Sequence, residues 1–235
     1  MITMTKKILI KGDVVDDLTG SFYEYFSMPH VSPGKIEQAL AENGDEDVEL
    51  SIASNGGDVF AASEIYTLIR NYPGKVTVNI EGLAASAASV IAMAGDTIRM
   101  SPTSQLMIHK AWSGMQGNAD DMNHEASVLQ SIDDSISNAY RQKTGLPYEK
   151  IQQLMSNETW MNAQDAVDKG FVDEIMFVDE KQPAALNSIS EIPSKQAINK
   201  FMNLISKINN EPESQPKEEQ SVDLLNQKLA ILKRK

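Results

Sequence analysis

An α/β domain built on a largely parallel sheet is the fold class that this sequence predicts, and three observations carry it. Strand-like and helix-like runs alternate from Lys6 to Val178, the pattern of strands joined by crossover helices. The strand-like runs, such as Val48-Glu-Leu-Ser-Ile-Ala53 and Lys75-Val-Thr-Val-Asn-Ile-Glu81, are rich in β-branched residues, and amphipathic stretches follow them. Of the 235 residues, 41% are hydrophobic and 23% charged, which supplies a core of ordinary size.

Lys6 to Val15 reads as a strand ending in a turn. Residues 16–34, with Gly20, Pro29, Pro33 and Gly34 among aromatics, read as a loop-rich excursion. A short helix is expected over Ile36–Glu42, a strand over Val48–Ala53, and a turn at Ser54-Asn-Gly-Gly57. The next helix places Val59, Ala62, Ile65, Tyr66 and Ile69 on one face and stops before Pro73. A third strand–helix pair covers 75–81 and 86–94, and short strands follow at Thr97–Met100 and Gln105–His109. From Ala119 to Lys143, Met122, Ala126, Leu129, Ile132, Ile136 and Tyr140 recur at three- and four-residue steps. That spacing predicts a long amphipathic helix, stopped by Gly145 and Pro147. Helices over Tyr148–Met155 and Asn162–Lys169 and a strand over Phe171–Val178 complete a domain at residues 1–179.

Residues 180–235 differ in character. Asn209 to Gln220 is too polar to bury a core. Helical patches flank it at Ile198, Phe201, Met202, Leu204 and Ile205, and at Val222, Leu225, Leu229 and Leu232. The reading is a flexible tail with two sticky segments.

The formal net charge of −12 argues against a nucleic-acid partner, which requires clustered Lys and Arg. The absence of cysteine excludes disulfides, thiolate nucleophiles and cysteine-based zinc sites. His30, His109 and His124 follow no metal-ligand spacing. No apolar run approaches the ~18 residues of a membrane span, and the first residues lack a signal peptide's apolar region. A soluble, cytoplasmic protein is expected.

Chemistry concentrates at Gly82-Leu-Ala-Ala-Ser86-Ala-Ala-Ser-Val90. A serine at a strand-to-helix turn between alanines lets another backbone approach its hydroxyl. The helix start adds unpaired N–H groups that stabilise negative charge. Serine catalysis also needs a base, an orienting acid and oxyanion donors. Of the three histidines, His109 ends a strand and opens into a loop, where functional side chains are commonly displayed. His124 falls within the long helix and His30 within the Pro-rich excursion. Ser54-Asn-Gly-Gly-Asp58, between a strand and a helix, offers amides that a carbonyl could approach closely.

Ser54-Asn-Gly-Gly57, Gly82-Leu-Ala-Ala-Ser86, Met107-Ile-His109 and Ala166-Val-Asp-Lys-Gly-Phe-Val-Asp173, in this order, resemble the Clp protease proteolytic subunit family. The resemblance runs from the second strand to about Ile175. Within that family, the acidic and tailed chain looks most like the head maturation (prohead) proteases of tailed bacteriophages. The resemblance implies a superhelix of repeated strand–helix units, shared with the crotonases, with a long protruding helix. It makes Ser86 the nucleophile, His109 the general base, and the amides of Gly57 and Ala87 the oxyanion hole. The family's acid falls on Glu158 in Asn157-Glu-Thr-Trp160, one methylene longer than the usual aspartate; Asp165, or no acid at all, is the alternative.

The implied activity is serine endopeptidase chemistry without metal or organic cofactor. Its substrates would be polypeptides, among them phage capsid, scaffold or portal proteins. Peptides would be held by β-addition near residues 111–117. A homo-oligomeric ring is implied, with that stretch and the long helix forming contacts between rings. The short lead before the first strand suggests ATP-independent work without an unfoldase partner. Lys110 and Ala111 stand where the family usually has Gln-Pro, so a more mobile loop and a triad aligned only on assembly are expected. Self-cleavage is expected between Asp179 and Gln220. Two other classes stay open: a non-catalytic scaffold or assembly module of the same fold, and a crotonase-type acyl-CoA hydratase or isomerase. The second has no need of a serine paired with a histidine.

Overall fold

The computed structural model describes residues 5–178. The expected tail, its two helical patches and its cleavage region lie outside them. The elements in order are β1 (Lys6–Val14), α1 (Asp17–Tyr25), β2 (His30–Val31), α2 (Pro33–Ala41), β3 (Val48–Gly57), α3 (Val59–Arg70), β4 (Val76–Ala85) and α4 (Ala87–Ala92). There follow β5 (Thr97–Met100), β6 (Gln105–Ile108), α5 (Ala119–Thr144), α6 (Tyr148–Ser156), β7 (Thr159–Met161), α7 (Ala163–Asp168) and β8 (Glu174–Ile175). The sheet order is β2-β1-β3-β4-β5-β8 with every neighbour parallel. The expected α/β class with a largely parallel sheet is the one observed.

The side-chain alternation along each strand makes this sheet one-sided. Ile8, Ile10, Leu50, Ile52, Val78, Ile80, Ile98 and Met100 are buried, in the core cluster that also takes in Ala62, Ile65 and Ile69 of α3 and Ile91 of α4. The intervening residues form a polar ladder across the strands. Lys7 Nζ donates to Glu81 at 2.7 Å, Arg99 Nε donates to Asn79 at 2.9 Å, and the Arg99 guanidinium lies 3.2 Å from the Glu49 carboxylate.

The Lys7 ammonium holds the Glu81 carboxyl below the usual carboxylate range. A depressed acid stabilises the fold above its unfolded pKa, and that contribution is lost as pH falls through the lower folded value. Glu81→Gln is therefore expected to lower stability slightly at pH 7, by under about 1 kcal/mol for so exposed a pair, with a correspondingly small drop in melting temperature. The difference from wild type should narrow as melts are taken at pH progressively below the ordinary glutamate value of about 4.3; a constant gap would show that the ladder does not act through this charge.

One departure from the simple parallel plan positions the site. The first half of β4 pairs with β5 (Thr77↔Thr97 to Ile80↔Met100), whereas its end pairs with β6 (Leu83↔Gln105 to Ala85↔Met107). The β3–β4 register shifts between Ile52 and Ser54 at the same level. The sheet thus forks, and the branch carries β6 with β7 antiparallel beside it.

Several expectations are corrected. Residues 16–34 are not a loop-rich excursion, because they contain α1 and β2. Asp16 caps α1, accepting the Thr19 amide at 2.8 Å. The helix was hidden because its apolar residues Leu18, Phe22 and Tyr25 face outward while Gly20 is its buried residue. Ser54–Gly57 is the end of β3 rather than a turn, with Asp13↔Gly56 and Val14↔Gly57 in register. Within Phe171–Val178 only Glu174–Ile175 is strand; Phe171 is instead a buried packing residue, edge-on to Tyr140 with ring centroids 5.8 Å apart. The three-residue β7 was not foreseen. No helix among the described residues is long and apolar enough to cross a membrane.

Candidate active site

Ser86 sits between the last residue of β4 and the first of α4, with φ 53° and ψ −125°. A non-glycine residue at positive φ is held there only when its surroundings over-determine it, and here they do. Its amide donates to the Met107 carbonyl at 3.0 Å, continuing the β4–β6 ladder by one residue. Its carbonyl accepts from the Ser89 amide at 2.9 Å and the Ser89 hydroxyl at 2.6 Å. The Ser89 hydroxyl lies 2.8 Å from the Tyr140 hydroxyl, and burial pushes that phenol far above its usual pKa. A buried chain from α5 through Ser89 thus braces the serine backbone.

His109 follows β6 directly, on the strand that neighbours the serine's own. Its Nε2 is 2.7 Å from Ser86 Oγ. Ala85↔Met107 pairing brings the two chain segments side by side, so the contact arises from backbone register. The other two histidines lie elsewhere. His30 bonds the Met28 carbonyl at 3.0 Å and packs edge-on to Tyr23, and His124 is exposed on α5.

Glycine is required beside this serine. Gly56 has φ 96°, and a Cβ on it would stand 2.6 Å from the Ala85 carbonyl oxygen and 2.9 Å from the Ala87 nitrogen. Gly57 has φ 149°, and its Cβ would meet the Val14 carbonyl at 2.1 Å. The close approach of β3 places Gly57 and Ala87 on the same cleft as Ser86 and His109, a cavity of about 330 Å³. Ala87 opens α4, so its amide lies outside the helix's own ladder. Val90, Leu129, Ile132 and Ile136 give the cleft an apolar wall, and exposed Phe60 and Trp112 stand at its rim.

Glu158 is brought near but not joined. The β6–β7 register runs Met107↔Trp160 and Ile108↔Thr159 and ends there; His109 and Glu158 are the next residues beyond that last pair. There the chain bends, with Glu158 at φ 45°. Its carboxylate accepts the Trp160 indole N–H at 3.2 Å. Among the described residues no carboxylate hydrogen-bonds His109. Asp165 is engaged elsewhere, 3.8 Å from Lys169 on the following helical turn.

Residues 109–118 have no regular secondary structure, so the strand expected near 111–117 is absent. This segment lies against α5, where the Ala111 amide donates to Asp133 at 2.8 Å and the Ser113 hydroxyl donates to Glu125. Asp133 and the Ser89–Tyr140 pair were missed by the sequence reading. For Asp133 the pattern gave no signal, because the three–four repeat 122, 126, 129, 132, 136, 140 is complete with Ile132 and leaves position 133 beside the stripe.

The geometry has a counterpart in known proteins. A family model described as Clp protease matches residues 35–179. The ATP-dependent Clp protease proteolytic subunit of Deinococcus radiodurans is 31% identical over 138 residues, 58% of this chain and 68% of that one. Two proteins of the same description from Bacteroides fragilis are each 29% identical over 178 residues, 74% of this chain, and 81% and 76% of their own lengths. With the family model spanning well over half the chain and the motif residues gathered on one cleft, this protein belongs to the Clp protease family.

Proposed function

We propose that the chain is a serine endopeptidase working through Ser86 and His109. The 2.7 Å contact between Ser86 Oγ and His109 Nε2 is the observation that supports this reading most. Nε2 of a neutral imidazole takes the hydroxyl proton as Oγ attacks a peptide carbonyl. The amides of Gly57 and Ala87 receive the developing oxyanion. The imidazolium then protonates the leaving amine, and water resolves the acyl-enzyme by the same route in reverse. These steps use protein groups and water alone. The apolar wall of the cleft suits a substrate with an apolar side chain at the cleaved residue.

Glu158 is the proposed orienting acid, and it reaches that role by exchanging the Trp160 indole for the second nitrogen of His109. Glu158→Gln is expected to slow turnover at least about tenfold. Trp160→Phe, which frees the carboxylate from its competing donor, is expected to speed it. Unchanged rates in both variants would remove Glu158 from the mechanism.

The finer reading is processing of phage capsid, scaffold or portal proteins, and of the chain's own tail, by a homo-oligomeric ring. It rests on the sequence resemblance and the polar tail. Tail cleavage would give a shorter wild-type band that Ser86→Ala abolishes; identical trimming of the variant would point to another protease.

A fluorophosphonate probe followed by mass spectrometry tests the central proposal. Ser86 should be labelled in wild type and left unlabelled in His109→Ala. No labelling in any assembly state would favour the scaffold reading, and acyl-CoA turnover would favour the crotonase one.

A further inference from the structure

Asp133 is a buried carboxylate that the proposed reaction does not use. Its residue is only 4% exposed, beside the apolar stripe of α5 one turn before Ile136. A buried carboxylate is costly unless its oxygens are satisfied. Here Oδ1 accepts the Ala111 amide at 2.8 Å and Oδ2 lies 3.7 Å from Lys110 Nζ. Both partners belong to the two residues after His109.

Those two residues are where support for the histidine is thinnest. On its N-terminal side His109 is fixed by the β6 ladders, which end at Ile108. On its C-terminal side no regular structure begins until Ala119. The Ala111 bond is the first tether there, and the Ser113–Glu125 bond comes two residues later. A ring attached at the free end of a strand keeps its aim only if the chain beyond it is also held. A misplacement of about 1 Å at a reacting group costs on the order of 10²-fold in rate.

We propose that Asp133 is a positioning residue for His109: it anchors the backbone just past the histidine to α5 and so keeps Nε2 on Ser86 Oγ. The inference rests on the serine-peptidase reading. It gives α5 a role in aligning the base.

The test measures two quantities on the full chain: the rate at which a fluorophosphonate probe labels Ser86, and hydrogen exchange of the Ala111 amide in peptides spanning 109–113. Asp133→Ala should slow labelling at least about tenfold and expose the Ala111 amide, with an unchanged circular dichroism spectrum. Asp133→Leu removes the acceptor while filling the buried space, and it decides the matter if the alanine variant does not fold. Asp133→Asn keeps an oxygen acceptor and should restore both quantities to within about threefold. A wild-type labelling rate in Asp133→Leu, a protected Ala111 amide in it, or an asparagine variant as slow as the leucine one would each overturn the proposal. Failure of wild type to label at Ser86 would instead overturn the peptidase reading, and the exchange measurement would still decide whether Asp133 holds this segment.

Discussion

Ser86→Ala and His109→Ala are each expected to lower kcat/KM for a peptide with an apolar residue at the cleaved position by at least about 10³-fold, and the double variant no further. In the proposed mechanism the two groups form one proton-transfer unit across a 2.7 Å contact, so losing either would disable the other. The amides of Gly57 and Ala87, proposed to receive the oxyanion, are untouched in all three variants and should leave a residual rate above that of water. The measurement is a set of four steady-state assays. Losses that multiply in the double variant would mean that the serine and histidine act independently, and the proposed proton path would be wrong.

Gly56→Ala is expected to have the next largest effect, on stability and chemistry together. At φ 96° the new Cβ would be strained by its own backbone and would also press on the Ala85 carbonyl at 2.6 Å. Neither neighbour is a flexible side-chain end, since both belong to the turn that presents Ser86. Strain and overpacking of this kind cost about 2–4 kcal/mol, or roughly 5–15 °C in melting temperature for a domain of this size. Displacement of the serine should slow probe labelling by about 10²-fold. Gly44→Ala is the control, because Gly44 also has positive φ (64°) but open space around it. It should cost about 1 kcal/mol and leave labelling unchanged. Equal labelling in both variants would show that the close approach of β3 does not position the serine.

Elements whose apolar faces point inward were legible in the sequence. Strands β3 to β6 and helices α3 and α5 follow from period alone, and the motifs then name Ser86, His109, Gly57 and Ala87. What escaped had physical reasons. Helix α1 turns Leu18 and Tyr25 to the outside, so its periodicity pointed the wrong way. Gly56 and Gly57 looked like a turn, since the residues that make turns also let two strands approach closely. The long stripe on α5 overstated its burial: Met122 and Ala126 are exposed, and full burial begins only near Asp133 and Ile136. Motif register points to Glu158, yet its carboxylate rests on the Trp160 indole, a choice of partner that no one-dimensional pattern encodes. The positive φ of Ser86 is a property of β4 meeting β6, two segments about 20 residues apart.

The forked end of β4 has a consequence for how such a protein can change over time. Its serine and histidine lead off from hydrogen-bonded neighbours, so their separation is gauged by main-chain ladder spacing, about 4.8 Å, whatever side chains line the cleft. The lining comes from other parts of the chain, chiefly α5 and residues 110–113. If the proposed mechanism holds, cutting power and substrate preference are inherited separately. The walls can be rewritten for new polypeptides while the gauge stays intact, but a one-residue slip between β4 and β6 would turn the histidine to the opposite face and end the chemistry at once.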